Sequence, residues 1–81
     1  MATVKLWAGL IPLADNQREI SVEAKDIREL FRKLSERYPG FERHPKGEIA
    51  VAINGEIYRD NWSKAIPKDA EVFLMRRLAG G

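Results

Sequence analysis

The chain has no cysteine and a single histidine, His44, in 81 residues. The first absence excludes a disulfide framework, a thiolate metal site, an iron–sulfur cluster and a cysteine nucleophile. The second argues against a histidine-rich metal site or a Ser-His-Asp triad. No apolar run approaches the roughly 20 residues of a membrane-spanning helix. The N-terminus lacks the charged-then-apolar pattern of a signal peptide, so a cytoplasmic protein with no membrane contact is expected. Charge of one sign is scarce as well: 14 basic and 12 acidic residues are interspersed, leaving a net +2. A nucleic-acid binder would carry a basic block, and none is present. No acid–base pair and no metal constellation stands out. The chain is therefore not expected to be an enzyme by itself, to have catalytic or metal-ligating residues, or to hold a bound cofactor.

What is present is a soluble balance of 44% hydrophobic and 32% charged residues. This length makes one domain, with a single thin core and no room for a large cavity. Residues 3–8 alternate, with Val4, Leu6 and Ala8 against Thr3, Lys5 and Trp7, the period of a strand. Gly9, Pro12 and Asp15-Asn16 punctuate a turn region. Alternation then resumes over residues 18–23, so the first two strands form a hairpin. The period changes at Ile27, Leu30, Phe31, Leu34 and Tyr38, which share one helical stripe. Asp26 with Glu29 reads as a capping pair, and Pro39-Gly40 ends the helix. Residues 41–47, including a solvated His44, read as a loop. A strand over 48–53 follows, then the Asn54-Gly55 hairpin turn and a short return over 56–58. Residues 59–70 are irregular, with Trp62 as a lid on the core, and 71–76 form the last strand.

That strand runs directly into Arg76-Arg77-Leu78-Ala79-Gly80-Gly81. With Tyr38-Pro39-Gly40 after the helix and Val51-Ala52-Ile53-Asn54-Gly55 at the second hairpin, the order resembles the MoaD/ThiS family of sulfur carriers and, more distantly, ubiquitin. The resemblance spans essentially the whole chain. It implies an α+β, ubiquitin-like β-grasp: a mixed sheet of four to five strands on one main helix. Residues 1–77 would form that domain, and 78–81 a flexible tail. Arg76-Arg77 departs from the Pro-Pro usual before the tail in molybdopterin-type members and is closer to the end of ubiquitin.

The resemblance also implies the chemistry. A ubiquitin-activating-type enzyme would use ATP to adenylate the carboxylate of Gly81, and sulfur would replace AMP to give a thiocarboxylate. A sulfur-accepting synthase would receive it, in molybdopterin-type, thiamin-type or thionucleoside biosynthesis. A free α-carboxylate, with a pKa of about 3.5, is ionised at neutral pH and is a poor electrophile until so activated. Gly80 and Gly81, lacking Cβ, suit a narrow channel. Leu78 to Gly81 reach roughly 13 Å when extended. Alternation turns Trp7, Phe73 and Met75 away from the helix, where they mark a partner surface flanked by Arg76 and Arg77; the competing expectation is that residues 10–13 cover them. The free chain is expected to be a monomer. The competing functions are a ubiquitin-like modifier of lysines and a passive interaction domain.

Overall fold

Alternating side chains in the first segment form β1 (Ala2–Leu6), with Ala2, Val4 and Leu6 buried. The structure is a computed structural model that describes residues 1–43, 49–58 and 61–76, without the side chains of Glu42, Arg43 and Arg76. The other strands are β2 (Glu19–Val22), β3 (Ile49–Ile53), β4 (Glu56–Tyr58) and β5 (Glu71–Arg76), with the helix α1 at Ile27–Arg37. The sheet order is β2-β1-β5-β3-β4. Only the β1–β5 pair is parallel. One helix on this five-stranded mixed sheet is the β-grasp that the sequence led us to expect.

The helix is built at both ends by local chemistry. Asp26 sits in extended backbone and accepts the Glu29 N–H at 2.8 Å. Glu29 returns the bond one residue further back, to the Lys25 N–H. The first two helical amides find partners across the chain, Ile27 on the Lys64 carbonyl and Arg28 on the Trp62 carbonyl. The Leu30 N–H bonds to the Asp26 carbonyl. The Leu30 bond is the first within the helix, and the Ile27, Arg28 and Glu29 N–H groups, which a helix start leaves open, all find partners. This gives the irregular 61–66 segment a fixed position, and Trp62 lies edge-on to Phe31 with ring centroids 5.3 Å apart. At the other end Tyr38 has left helical geometry, as the residue before Pro39 must. The expected stripe of Ile27, Leu30, Phe31, Leu34 and Tyr38 is buried in full.

Two details differ from the sequence reading. The turn region after β1 contains a 3-10 turn at Ile11–Ala14 that delivers Leu10 and Ala14 into the core. A second such turn, Pro39–Arg43, follows the helix and buries Phe41. The expected loop over 41–47 is therefore helical at its start, while His44 and residues 45–48 lie outside the described residues. The Asn54-Gly55 turn has the positive φ values, 49° and 91°, that a two-residue type I′ hairpin demands. The Asn54 side chain also accepts the N–H of Glu71, tying the turn to the start of β5.

Leu10 shows that the first connection belongs to the core, since it is fully buried although it lies outside every strand and the helix. Leu10→Ala should destabilise the chain by about 2–5 kcal/mol, the usual range for a buried leucine truncation. Thermal unfolding monitored by circular dichroism measures this, and a loss under about 1 kcal/mol would mean that the site collapses without a cavity.

Candidate functional site

Strand β5 carries the candidate site because its C-terminal end leads to the tail. It lies between β1 and β3, so both of its edges are hydrogen-bonded. In register, Leu6 stands beside Leu74 and Ile49 beside Arg76. The tail therefore departs from the end of the sheet that holds the last residues of β1 and the first of β3. Gly81, Gly80, Ala79, Leu78 and Arg77 lie outside the described residues, and of Arg76 only the backbone is described.

The face of the sheet opposite the helix is laid out in rows by the strand registers. One row reads Glu19, Lys5, Phe73, Ala52, Ile57 from β2 to β4. The next row toward the tail places Met75 beside Ala50. Trp7 follows at the end of β1 and donates its backbone N–H to the Leu74 carbonyl at 3.1 Å. The outer face is thus polar over β2 and β1, where Lys5 pairs with Glu71 at 3.5 Å. It is apolar from β5 to β4. Ala50 and Ala52 are buried despite facing outward, since they lie between the larger side chains of β5 and Ile57 of β4.

The three expected surface residues do not share one environment. Phe73 is exposed at 38%, too open to be a core residue. Met75 is half-buried. Trp7 is half-buried too, but it packs against the edge of the core. Its indole nitrogen lies so close over Gly9 that a Cβ at Gly9 would collide with it. Gly9 is needed there for close approach rather than for a special backbone angle. The member of the patch that sequence reasoning missed is Ile57, the most exposed sheet side chain of its size at 55%. The signal was present: with the Asn54-Gly55 turn fixing the register, Tyr58 pairs with inward Val51, so Ile57 must point outward.

Two open clefts lie elsewhere. One, of about 370 Å³, is bounded by Ala2, Ala24, Lys25, Lys33 and Lys68. The other, of about 280 Å³, is bounded by Asn54, Glu56, Tyr58 and Lys64. Both sit where β5 begins, at the pole opposite its C-terminal end. In the second, the Tyr58 hydroxyl donates to Glu56 at 2.7 Å. That bond, with the negative charge of Glu56, raises the phenol's pKa, and nearby Lys64 opposes the shift. Among the described residues no cluster of His, Asp and Glu is arranged to hold a metal ion. No described helix is long and apolar enough to cross a membrane.

Comparison with known proteins agrees with this architecture. No curated protein matches the sequence. Among solved structures, the BexX/CysO complex of Amycolatopsis orientalis has a similar chain at 19% identity, covering 100% of both chains with a TM-score of 0.83. SAMP1, the small archaeal modifier protein 1 of Methanosarcina acetivorans, is 20% identical over 99% of this chain and 95% of its own, with a TM-score of 0.80. A putative molybdopterin converting factor, subunit 1, from Pyrococcus furiosus is 21% identical over 95% and 97%, with a TM-score of 0.74. At these identities the three establish the fold. The family model of ThiS, in contrast, matches the sequence over residues 4–81, from the first strand to the terminal glycine, and the chain belongs to the ThiS family.

Proposed function

We propose that the chain is a sulfur carrier whose reactive group is the α-carboxylate of Gly81. The observation that carries this reading is that the family match runs through to Gly81, on a fold whose central strand leads directly to it. The chemistry follows from the carboxylate. An adenylating partner joins Gly81 to AMP from ATP and releases pyrophosphate. A hydrosulfide ion attacks the activated carbonyl, AMP leaves with the electrons of the C–O bond, and loss of the proton on sulfur gives the thiocarboxylate. This chain contributes reach and recognition, and the partner contributes the catalytic groups. A sulfur-accepting enzyme then takes the sulfur, the C–S bond breaks, and water supplies the oxygen that restores the carboxylate.

Recognition is assigned to the apolar half of the outer face, Phe73 with Met75 and Ile57, and to Trp7 where the tail begins. An exposed aromatic beside small, shielded alanines offers a flat apolar surface that a partner can dehydrate at little conformational cost. Arg76 and Arg77 stand next to it in sequence and suit an acidic rim on the partner. A second reading is kept because one structural neighbour is named a modifier protein and because Arg76-Arg77 resembles the end of ubiquitin. In that reading the same activated carboxylate is attacked by a lysine amine, giving an isopeptide bond.

Deleting Gly81 separates chemistry from folding. The melting temperature should change little, since a terminal residue past the last strand adds little stability. Adenylation by the cognate enzyme should be lost, and normal adenylation of the shortened chain would sink the carrier reading.

Phe73→Ala tests recognition. The complex with the activating enzyme should weaken by about 1–3 kcal/mol, in the range for an interface aromatic. Calorimetric titration measures this, and an unchanged affinity would remove Phe73 from the docking surface.

Intact-mass analysis distinguishes the two readings. A carrier isolated with its partners should show a species heavier by about 16 Da, one oxygen replaced by sulfur at the activated carbonyl. A modifier should instead appear in conjugates carrying the Leu-Ala-Gly-Gly remnant on lysine after cleavage at Arg77. Finding neither in the presence of the activating enzyme would favour a passive interaction domain.

A further inference from the structure

The two edges of the sheet are treated differently. In the β1–β2 pair, the Leu6 N–H bonds to the Arg18 carbonyl. Alternation then directs the backbone groups of Glu19, Ser21 and Glu23 outward, to the free edge of β2. Two of those carbonyls are already occupied. Arg37 donates to the Ser21 carbonyl and Lys33 to the Glu23 carbonyl, both reaching around from α1. The helix therefore closes the β2 edge with two cations.

The β4 edge has no such cover among the described residues. Its type I′ turn makes Ile53 and Glu56 a hydrogen-bonded pair, and Val51 with Tyr58 likewise. Ile57 opposite Ala52 is then a non-hydrogen-bonded pair, so the Ile57 N–H and C=O both point out of the sheet. Its side chain is exposed as well. On the helix side, Glu56, Tyr58 and Lys64 form a short line: the Tyr58 hydroxyl on Glu56, and the Lys64 ammonium 5.2 Å above the Tyr58 ring.

We propose that β4 is the contact strand of a weak, twofold-symmetric pair of copies of this chain. The strand is self-complementary. With Ile57 on the axis, the two Ile57 residues exchange both backbone hydrogen bonds, as directly opposed residues of an antiparallel ladder do. The two isoleucine side chains then meet on the outer face. On the helix side Glu56 of each copy stands opposite Tyr58 of the other, beside that copy's Lys64. Acid therefore faces cation twice, once on each side of the axis. Two five-stranded sheets become one of ten strands, and the apolar strips of Phe73, Ala52 and Ile57 join end to end.

The contact is small, far below the roughly 1,200 Å² of a lasting interface. The free chain is accordingly a monomer at low concentration and pairs when concentrated or held side by side. The proposal does not depend on the carrier reading, because the tail takes no part in it.

The test follows backbone amide shifts and sedimentation of the full chain from about 20 µM to about 2 mM, the window in which a contact of millimolar affinity becomes visible. Concentration-dependent shifts should centre on Ile57 and its neighbours. Ile57→Lys should weaken association at least about tenfold, with an unchanged melting temperature, since Ile57 makes no ladder bond within one copy. Lys64→Glu should weaken association by setting acid against acid, and Glu56→Lys combined with Lys64→Glu should restore it. The proposal is overturned by an absence of concentration dependence, by association that survives Ile57→Lys, or by a charge exchange that fails to restore pairing. It is equally overturned if the Ile57 amide shifts only when a different protein is added, which would make the edge a site for a foreign strand.

Discussion

The placement of β5 between β1 and β3 is the constraint from which the rest of the structure follows. The last strand cannot complete the sheet until both neighbours are present, and those neighbours lie far apart in the sequence. Its parallel partner begins at Ala2 and its antiparallel partner at Ile49. Val72 and Leu74 are fully buried as a result, and the helix has a continuous apolar floor to pack on. The candidate reactive terminus thus leaves from a firmly anchored strand rather than from an edge. A group that must be presented in a partner's active site is best attached to a base that does not move with it.

The same central position leaves the weak points of the sheet at β2 and β4. Exposed strand edges invite unwanted pairing, and proteins counter this with charge, shortness or cover. Here the helix provides cover for β2 through Lys33 and Arg37. The β4 edge has only its shortness, three residues, which limits any pairing there to a weak contact. The 61–66 segment answers a different demand. It supplies the Trp62 and Lys64 carbonyls that the first helical amides need and receives support in return, since the Ile66 N–H bonds to the Lys25 carbonyl. A stretch with no regular secondary structure is therefore tied to the helix start by backbone hydrogen bonds in both directions.

Much of this was legible in the sequence wherever a period or a turn rule applied. The stripe from Ile27 to Tyr38, the Asp26 cap, the break before Pro39 and the positive φ at Asn54-Gly55 each rest on local physics, and each is found. Leu10 was not legible, because a single buried leucine in a turn has no period to reveal it. The carbonyls of Trp62 and Lys64 were not legible either, since any residue type offers a carbonyl and only the tertiary position of the loop gives these two a role. Strand order came from family resemblance, not from pattern: alternation says which face a side chain takes but not which strand lies beside it. The tail's role came from the family resemblance, and residues 77–81 lie outside the described residues. Phe73 followed from alternation, whereas Ile57 required carrying the hairpin register one strand further.

The division between body and tail explains why this fold suits a carrier. A carrier needs a specific surface and a terminus that fits another protein's cavity. The two described clefts lie at the pole where β5 begins, while the exposed Phe73 lies further along that strand, toward its C-terminal end. Selectivity and reactivity can then be tuned separately. On the proposed reading, substitutions on the outer face act on partner choice and substitutions at Gly80 or Gly81 act on the reactive end. On the carrier reading proposed above, β5 joins the outer face to the residues that lead to Gly81 in sequence, so that two different partners can share one face and one terminus.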